Sequence, residues 1–230
     1  MSLLIVLTAL LTPEAPFLPA YLEKTESTSA RYADCVRLIA DDAETGRQAA
    51  LTWVSDGGGA PAQHCLAVSD LASGLPKIAA VRLTEISERR DAGDGNARAR
   101  LLAEAALAWI DAHDLMQAEA SVEAAKRMAP GLPELDFVAA KVFAASEKWQ
   151  AAADAVTAAE KAGVKAPEAY VIRARANRAL GKDMDAANDV VAALTLDPYD
   201  IDALTLRGEL QQAGIEIEAY YGDGKDDVKK

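Results

Sequence analysis

Residues 133–166 read PELDFVAAKVFAASEKWQAAADAVTAAEKAGVKA, and residues 167–200 read PEAYVIRARANRALGKDMDAANDVVAALTLDPYD. Written one above the other, the two stretches agree at the positions that would pack. Pro133 falls on Pro167, Ala140 on Ala174, Ala152 on Ala186 and Val156 on Val190. The register continues upstream to Ala106, Ala118 and Val122 and downstream to Gly208. Pro130 and Pro198 lie two periods apart, with Val164 in the slot between them. Several registers sharing one period mean a stacked array of one supersecondary unit. From Ala30 to about Gly214 the apolar residues recur at helical spacing, and Val, Ile and Thr do not alternate, so the pattern predicts helices and no strand.

The unit resembles the tetratricopeptide repeat (TPR), two antiparallel helices in about 34 residues with the pattern W-x2-L-G-x2-Y, then A-x3-F, then P. Tyr170 takes the Trp slot, Ala174 the Gly slot, Gly181 the turn, Ala186-x3-Val190 the A-x3-F element and Pro198 the end. Ala106 with Trp109, and Ala140 with Phe143, take the Gly and Tyr slots of the two preceding units. The unit near Ala60 offers Leu66, Ala67, Gly74 and Ala79-x3-Leu83. Arg173 and Arg207 depart from the pattern at the Leu slot, Asn177 and Gln211 at the Tyr slot, and Asp136 at the Trp slot. The resemblance implies an all-α, right-handed superhelical solenoid of antiparallel helix pairs, in which small residues let the two helices of a pair approach closely. Complete units are expected from Ala60, Ala99, Pro133 and Pro167, with a capping helix from Ile201. The expected domains are a leader and spacer over 1–29, a degenerate first pair over 30–59 built around Ala49-x3-Trp53, the repeats and cap over 60–214, and a polar tail over 215–230. Gly57, Gly58 and Gly59 are expected to end the first pair.

The 230 residues are 51% apolar, with a formal net charge of −12. That charge argues against nucleic acid, whose binding rests on Lys and Arg neutralising phosphates, and against an anionic membrane surface. Residues 3–11 (LLIVLTALL) are too short for a transmembrane helix, which needs about 18 apolar residues or more, and have the length of a signal-peptide core. No Lys or Arg precedes them, and Ala15 and Ala20 are the nearest cleavage candidates. The expected location is therefore periplasmic or secreted in a bacterium, with no membrane insertion once the leader is removed. The other reading is a buried N-terminal helix in a cytoplasmic protein.

Cys35 and Cys65 are the only cysteines. An even pair in an exported chain reads as a disulfide. Adjacent first helices of two units lie about 8–10 Å apart, whereas a disulfide needs Cα atoms within about 7 Å. The bond thus requires a local close approach; the other reading is two buried thiols. His64 and His113, the only histidines, lack the partners of a zinc site. The glycine triplet is no phosphate loop, and residues 91–96 (DAGDGN) lack calcium-loop spacing and read as a flexible loop. No nucleophile–base constellation is visible, so the chain reads as non-enzymatic, without cofactor, metal or small-molecule substrate.

In the TPR resemblance the concave face is lined by the fifth and ninth residues of each first helix. Here these include Phe137 and Lys141, Val171 and Arg175, and Thr205 and Glu209, with Arg178 one turn beyond Arg175. Phe137, Lys141, Val171, Arg175 and Arg178 are the candidate peptide-binding groove. Its cations would hold an acidic or C-terminal carboxylate, unless they pair with neighbours such as Glu134 and Glu168. The expected function is a scaffold or adaptor that binds a protein or peptide segment. The alternative is a structural subunit or assembly factor of a cell-envelope complex.

Overall fold

A computed structural model describes residues 26–217 of the chain, so the apolar run at 3–11 and the tail from 218 lie outside the described residues. Those described form eleven helices and no strand: α1 Glu26–Asp41, α2 Ala43–Ser55, α3 Gly59–Ala72, α4 Pro76–Glu88, α5 Gly95–Asp111, α6 Leu115–Met128, α7 Pro133–Ala145, α8 Trp149–Lys161, α9 Pro167–Ala179, α10 Asp183–Leu196 and α11 Ile201–Gln212. They fall into two compact units, up to Val138 and from Ala139 onward, the division lying within α7.

The local chemistry explains where the helices begin and turn. Asp42, Asp94, Asp114 and Asp200 cap α2, α5, α6 and α11, each carboxylate accepting a backbone N–H three residues on. Pro76, Pro133 and Pro167 open α4, α7 and α9, where a missing N–H costs nothing. From α3 onward the two helices of each pair are joined by three residues, and the turn contains a left-handed backbone at one repeat position: Gly74 (φ 72°), His113 (57°), Glu147 (55°) and Gly181 (72°). Glycine meets that requirement without strain, and His113 and Glu147 adopt it at a small cost.

The repeat register sets the core. Ala106, Ala140 and Ala174, Ala118, Ala152 and Ala186, and Val122, Val156 and Val190 are each at most 1% exposed. In the first unit α1 packs on both α2 and α3, and in the second α9 packs on α8, α10 and α11. At the end of the second unit, Tyr170, Ala174, Ala186, Val190, Leu206 and Leu210 share one cluster.

Four details differ from the sequence-based expectation. α1 is already helical at Glu26, the first described residue, four residues before Ala30. α1 and α2 are joined by Asp42 alone, so α2 presents Gly46, Ala50 and Trp53 inward in place of Ala49. A Cβ at Gly46 would collide with both the side chain and the backbone of Ile39, which is why that position has no side chain. Residues 89–96 are tied down: Arg89 pairs with Asp91 at 2.8 Å, the Ala60 N–H donates to Asp91 at 3.0 Å, and Asp94 caps α5. The core also extends past 214. Ile217 is buried in the cluster at the end of the second unit, and Ile215 packs against that cluster.

Candidate functional site

The proposed groove residues of the second unit lie on α7, α9 and their neighbours. Val171 is 2% exposed and belongs to the core. Lys141 reaches Glu168 at 2.7 Å, and Arg175 reaches Asp202 at 2.7 Å. These are one interaction repeated. In each case the ninth residue of a first helix meets the second residue of the next, 27 positions on. Arg178 pairs with Glu209 of α11. The cations are therefore matched by carboxylates, and the spot is zwitterionic where the sequence suggested a positive one. Glu134, the other acid considered as a partner, instead binds Arg100 at 2.9 Å in the first unit. Phe137 also lies in the first unit and is buried. Arg175, Arg178, Ala179, Asp202, Thr205, Leu206 and Glu209 line an open cleft of about 440 Å³. The side chains of Arg175 and Asp202 are 49% and 64% exposed, so this pair faces water.

The first unit holds polar chemistry that sequence reasoning missed. Tyr32 Oη of α1 lies 2.7 Å from His64 Nδ1 of α3, and His64 Nε2 lies 2.6 Å from Glu104 Oε2 of α5. All three side chains are buried. With a neutral imidazole, Tyr32 donates to Nδ1 and the Nε2–H donates to the Glu104 carboxylate. Burial, with the Glu104 charge second, holds the Tyr32 hydroxyl well above its ordinary pKa. Beside this chain, Cys35 and Cys65 are disulfide-bonded with Cα atoms 6.5 Å apart, so α1 and α3 make the close approach that the bond requires. Asp70 of α3, fully buried, accepts hydrogen bonds from Arg47 of α2 and, at 2.9 Å, from Arg82 Nε of α4.

A second buried network lies between α8, α9 and α10. Arg173 donates to Asp189 through Nε at 2.9 Å and NH2 at 2.7 Å, and to Glu160 through NH1 at 2.6 Å. Asn177 donates to Asp189 at 3.0 Å. Burial raises the Asp189 carboxyl against the opposing pull of Arg173, whereas hydrogen bonding from Arg173 holds the more open Glu160 below its ordinary value. The departures from the repeat pattern at Arg173 and Asn177 were the one available signal for this network. No such signal existed for Tyr32, His64 and Glu104, which do not share the 34-residue register. Among the described residues no group of three or more His, Cys, Asp or Glu side chains is placed to hold a metal ion, and no helix is long and apolar enough to cross a membrane.

No protein-family model matches the chain, and no curated protein matches it. Solved structures do. PilF of Pseudomonas aeruginosa is similar at 15% identity and a TM-score of 0.61, over 78% of this chain and 81% of its own. TTC0263, a thermophilic TPR protein of Thermus thermophilus, is similar at 20% identity and a TM-score of 0.59, over 80% of this chain and 97% of its own. YrrB, described as a TPR protein with an unusual peptide-binding site, is similar at 13% identity and a TM-score of 0.56, over 82% of this chain and 98% of its own. With the Ala and Val positions of the 34-residue register buried in three successive repeats and the helices from α3 onward paired by three-residue turns, these likenesses establish that the chain has the all-α tetratricopeptide-repeat fold.

Proposed function

We propose that this chain is a non-enzymatic scaffold that holds a peptide segment of a protein partner in the cleft between α9 and α11. The observation that carries this reading is the solvent-facing row of charge pairs at the cleft, Arg175 with Asp202 and Arg178 with Glu209. An exposed ion pair contributes less than about 1 kcal/mol. A ligand carboxylate can therefore exchange for Asp202 or Glu209 and take a bidentate guanidinium contact. An acidic segment or a free C-terminus is the chemistry this arrangement recognises. Export to an oxidising compartment is part of the same reading, supported by the juxtaposed Cys35 and Cys65 and by the signal-like run at 3–11.

The test is fluorescence anisotropy with a pooled library of acidic peptides bearing free C-termini, against the same peptides amidated. Free-acid peptides should bind about tenfold more tightly than amidated ones. Arg175→Glu with Arg178→Glu should abolish binding while helicity and Tm stay near wild type. Undiminished binding to that variant removes the cleft from consideration. Intact mass of the protein from its native cell, with and without thiol alkylation, tests export: a shortened chain without free thiols is expected, and a full-length chain with two free thiols places it in the cytoplasm.

A further inference from the structure

The two ion pairs of the cleft form one alternating row. Asp202 is the second residue of α11, Arg175 and Glu209 are the ninth residues of α9 and α11, and Arg178 is the twelfth of α9. Arg175 reaches back to Asp202 at 2.7 Å, and Arg178 reaches back to Glu209. Along the helix axes the charges therefore run Asp202, Arg175, Glu209, Arg178, negative and positive by turns. Arg175 and Glu209 are 34 residues apart, at the same repeat position on neighbouring first helices. Each thus has a second possible partner in the other.

That order sets what a ligand must carry. A ligand carboxylate that takes Arg178 releases Glu209. Glu209 can then pair with Arg175, its counterpart one repeat earlier, and this releases Asp202, whose side chain is the most exposed of the four at 64%. The exchange ends with one unmatched carboxylate, at the far end of the row. A purely acidic ligand leaves it unmatched, and must also approach a chain of net charge −12. A ligand that brings a base to Asp202 keeps every charge in the row paired. Asp202 and Glu209 are seven residues apart, about 10 Å of helix, and Arg178 lies up to about 5 Å further along. About four residues of extended chain cover that span. Thr205 and Leu206 line the cleft between the two acids, and the Thr205 hydroxyl already donates to the Ile201 carbonyl, so this stretch presents no charge to the ligand.

We propose that the partner segment carries both signs of charge: a carboxylate that takes Arg178, and a Lys or Arg about four residues away that takes Asp202, with uncharged residues between them. The inference rests on the cleft being the peptide site, and adds the second charge and its spacing. Asp202 is then a specificity-determining residue, and the pair Arg175–Glu209 forms only in the complex.

The probes are three pools of N-terminally labelled peptides with free C-termini and otherwise uncharged residues, titrated onto the full chain and followed by anisotropy. The first pool carries Lys four residues before the last, the second carries Gln there, and the third carries Lys next to the last residue. The first should bind about tenfold more tightly than the second, and the third should gain nothing over the second. These comparisons use the unaltered chain. Asp202→Asn should erase the advantage of the first pool, and Asp202→Lys should reverse it in favour of Glu at the same place. Arg178→Gln should weaken the first two pools alike. Equal binding of the Lys and Gln pools overturns the proposal and leaves the cleft as the peptide site. So does an advantage that survives Asp202→Asn or follows Lys wherever it stands, which would be attraction to the net charge alone. No binding by the first pool overturns the proposal too, and if acidic free-acid peptides also fail to bind, the cleft is not the peptide site.

Discussion

Helices α3 and α4 meet over Asp70 and Arg82, and helices α9 and α10 meet over Asn177 and Asp189. Both pairs are 12 residues apart and occupy the same two places in their repeats, with the acid on opposite helices. The repeats between them put Trp109 with Ser121, and Phe143 with Ala155, in those places. The position thus accepts either an apolar contact or a buried charge, provided the charge is completed by the neighbouring helices. Asp70 achieves this with two arginines, from α2 and α4. Asp189 achieves it with one arginine and one amide, both from α9. The difference decides how each site responds to loss of a partner. Asp70, 0% exposed, keeps one arginine when the other is lost, whereas Asp189, 7% exposed, keeps only the Asn177 amide when Arg173 is lost.

Breaking the α9–α10 pair should therefore have the largest effect. Arg173→Met leaves the Asp189 carboxylate buried with only Asn177, a loss of about 3–5 kcal/mol. Adding Asp189→Leu should recover most of it. Urea denaturation of the single and double variants checks this, and a double variant no better than the single would mean that the arginine acts through packing.

The second contrast is covalent. The first pair has a one-residue turn and breaks the 34-residue register, and it is there that α1 and α3 are joined by Cys35 and Cys65. A loop of this size gives about 3–4 kcal/mol of stabilisation on the chain-entropy account. Reduction should lower protection from hydrogen exchange in α1–α3 and leave α9–α11 unchanged. Uniform loss across both units would show that the two do not open separately.

The smallest of the three effects concerns Tyr32. Its hydroxyl is held above the ordinary value of 10.0, so its contribution is present below about pH 10 and is lost as pH rises through the folded value. One tyrosine should ionise only as α1–α3 lose structure, seen as tyrosinate absorbance coinciding with loss of helix signal. Tyr32→Phe should remove that step and cost about 1–3 kcal/mol at neutral pH by leaving His64 Nδ1 without its donor.

Much of the fold was legible because its causes are local and repeated. Ala at the crossing points, Val four residues after Ala, and glycine or a tolerant residue at the turn recur at one spacing, and each is buried or turned where that spacing predicts. The first pair was less legible. Asp42 alone joins its helices, and α2 buries Ala50 while Ala49 stays partly exposed. The cations proposed for the groove pair with carboxylates of the next first helix, 27 to 31 residues away, and of these partners the sequence reading named only Glu168.

The chain alone determined its period, its helix pairs and its small contact slots, since these follow from helix geometry and from how closely two backbones approach when no bulky Cβ substituent intervenes. Only the tertiary structure decided which polar groups meet. Tyr32, His64 and Glu104 come from three successive first helices and share no register. Arg173 finds Asp189 and Glu160 on two different neighbours. A buried charge is tolerated only where partners converge on it within hydrogen-bond distance, and that convergence is set by the stacking of helices rather than by any spacing along the chain.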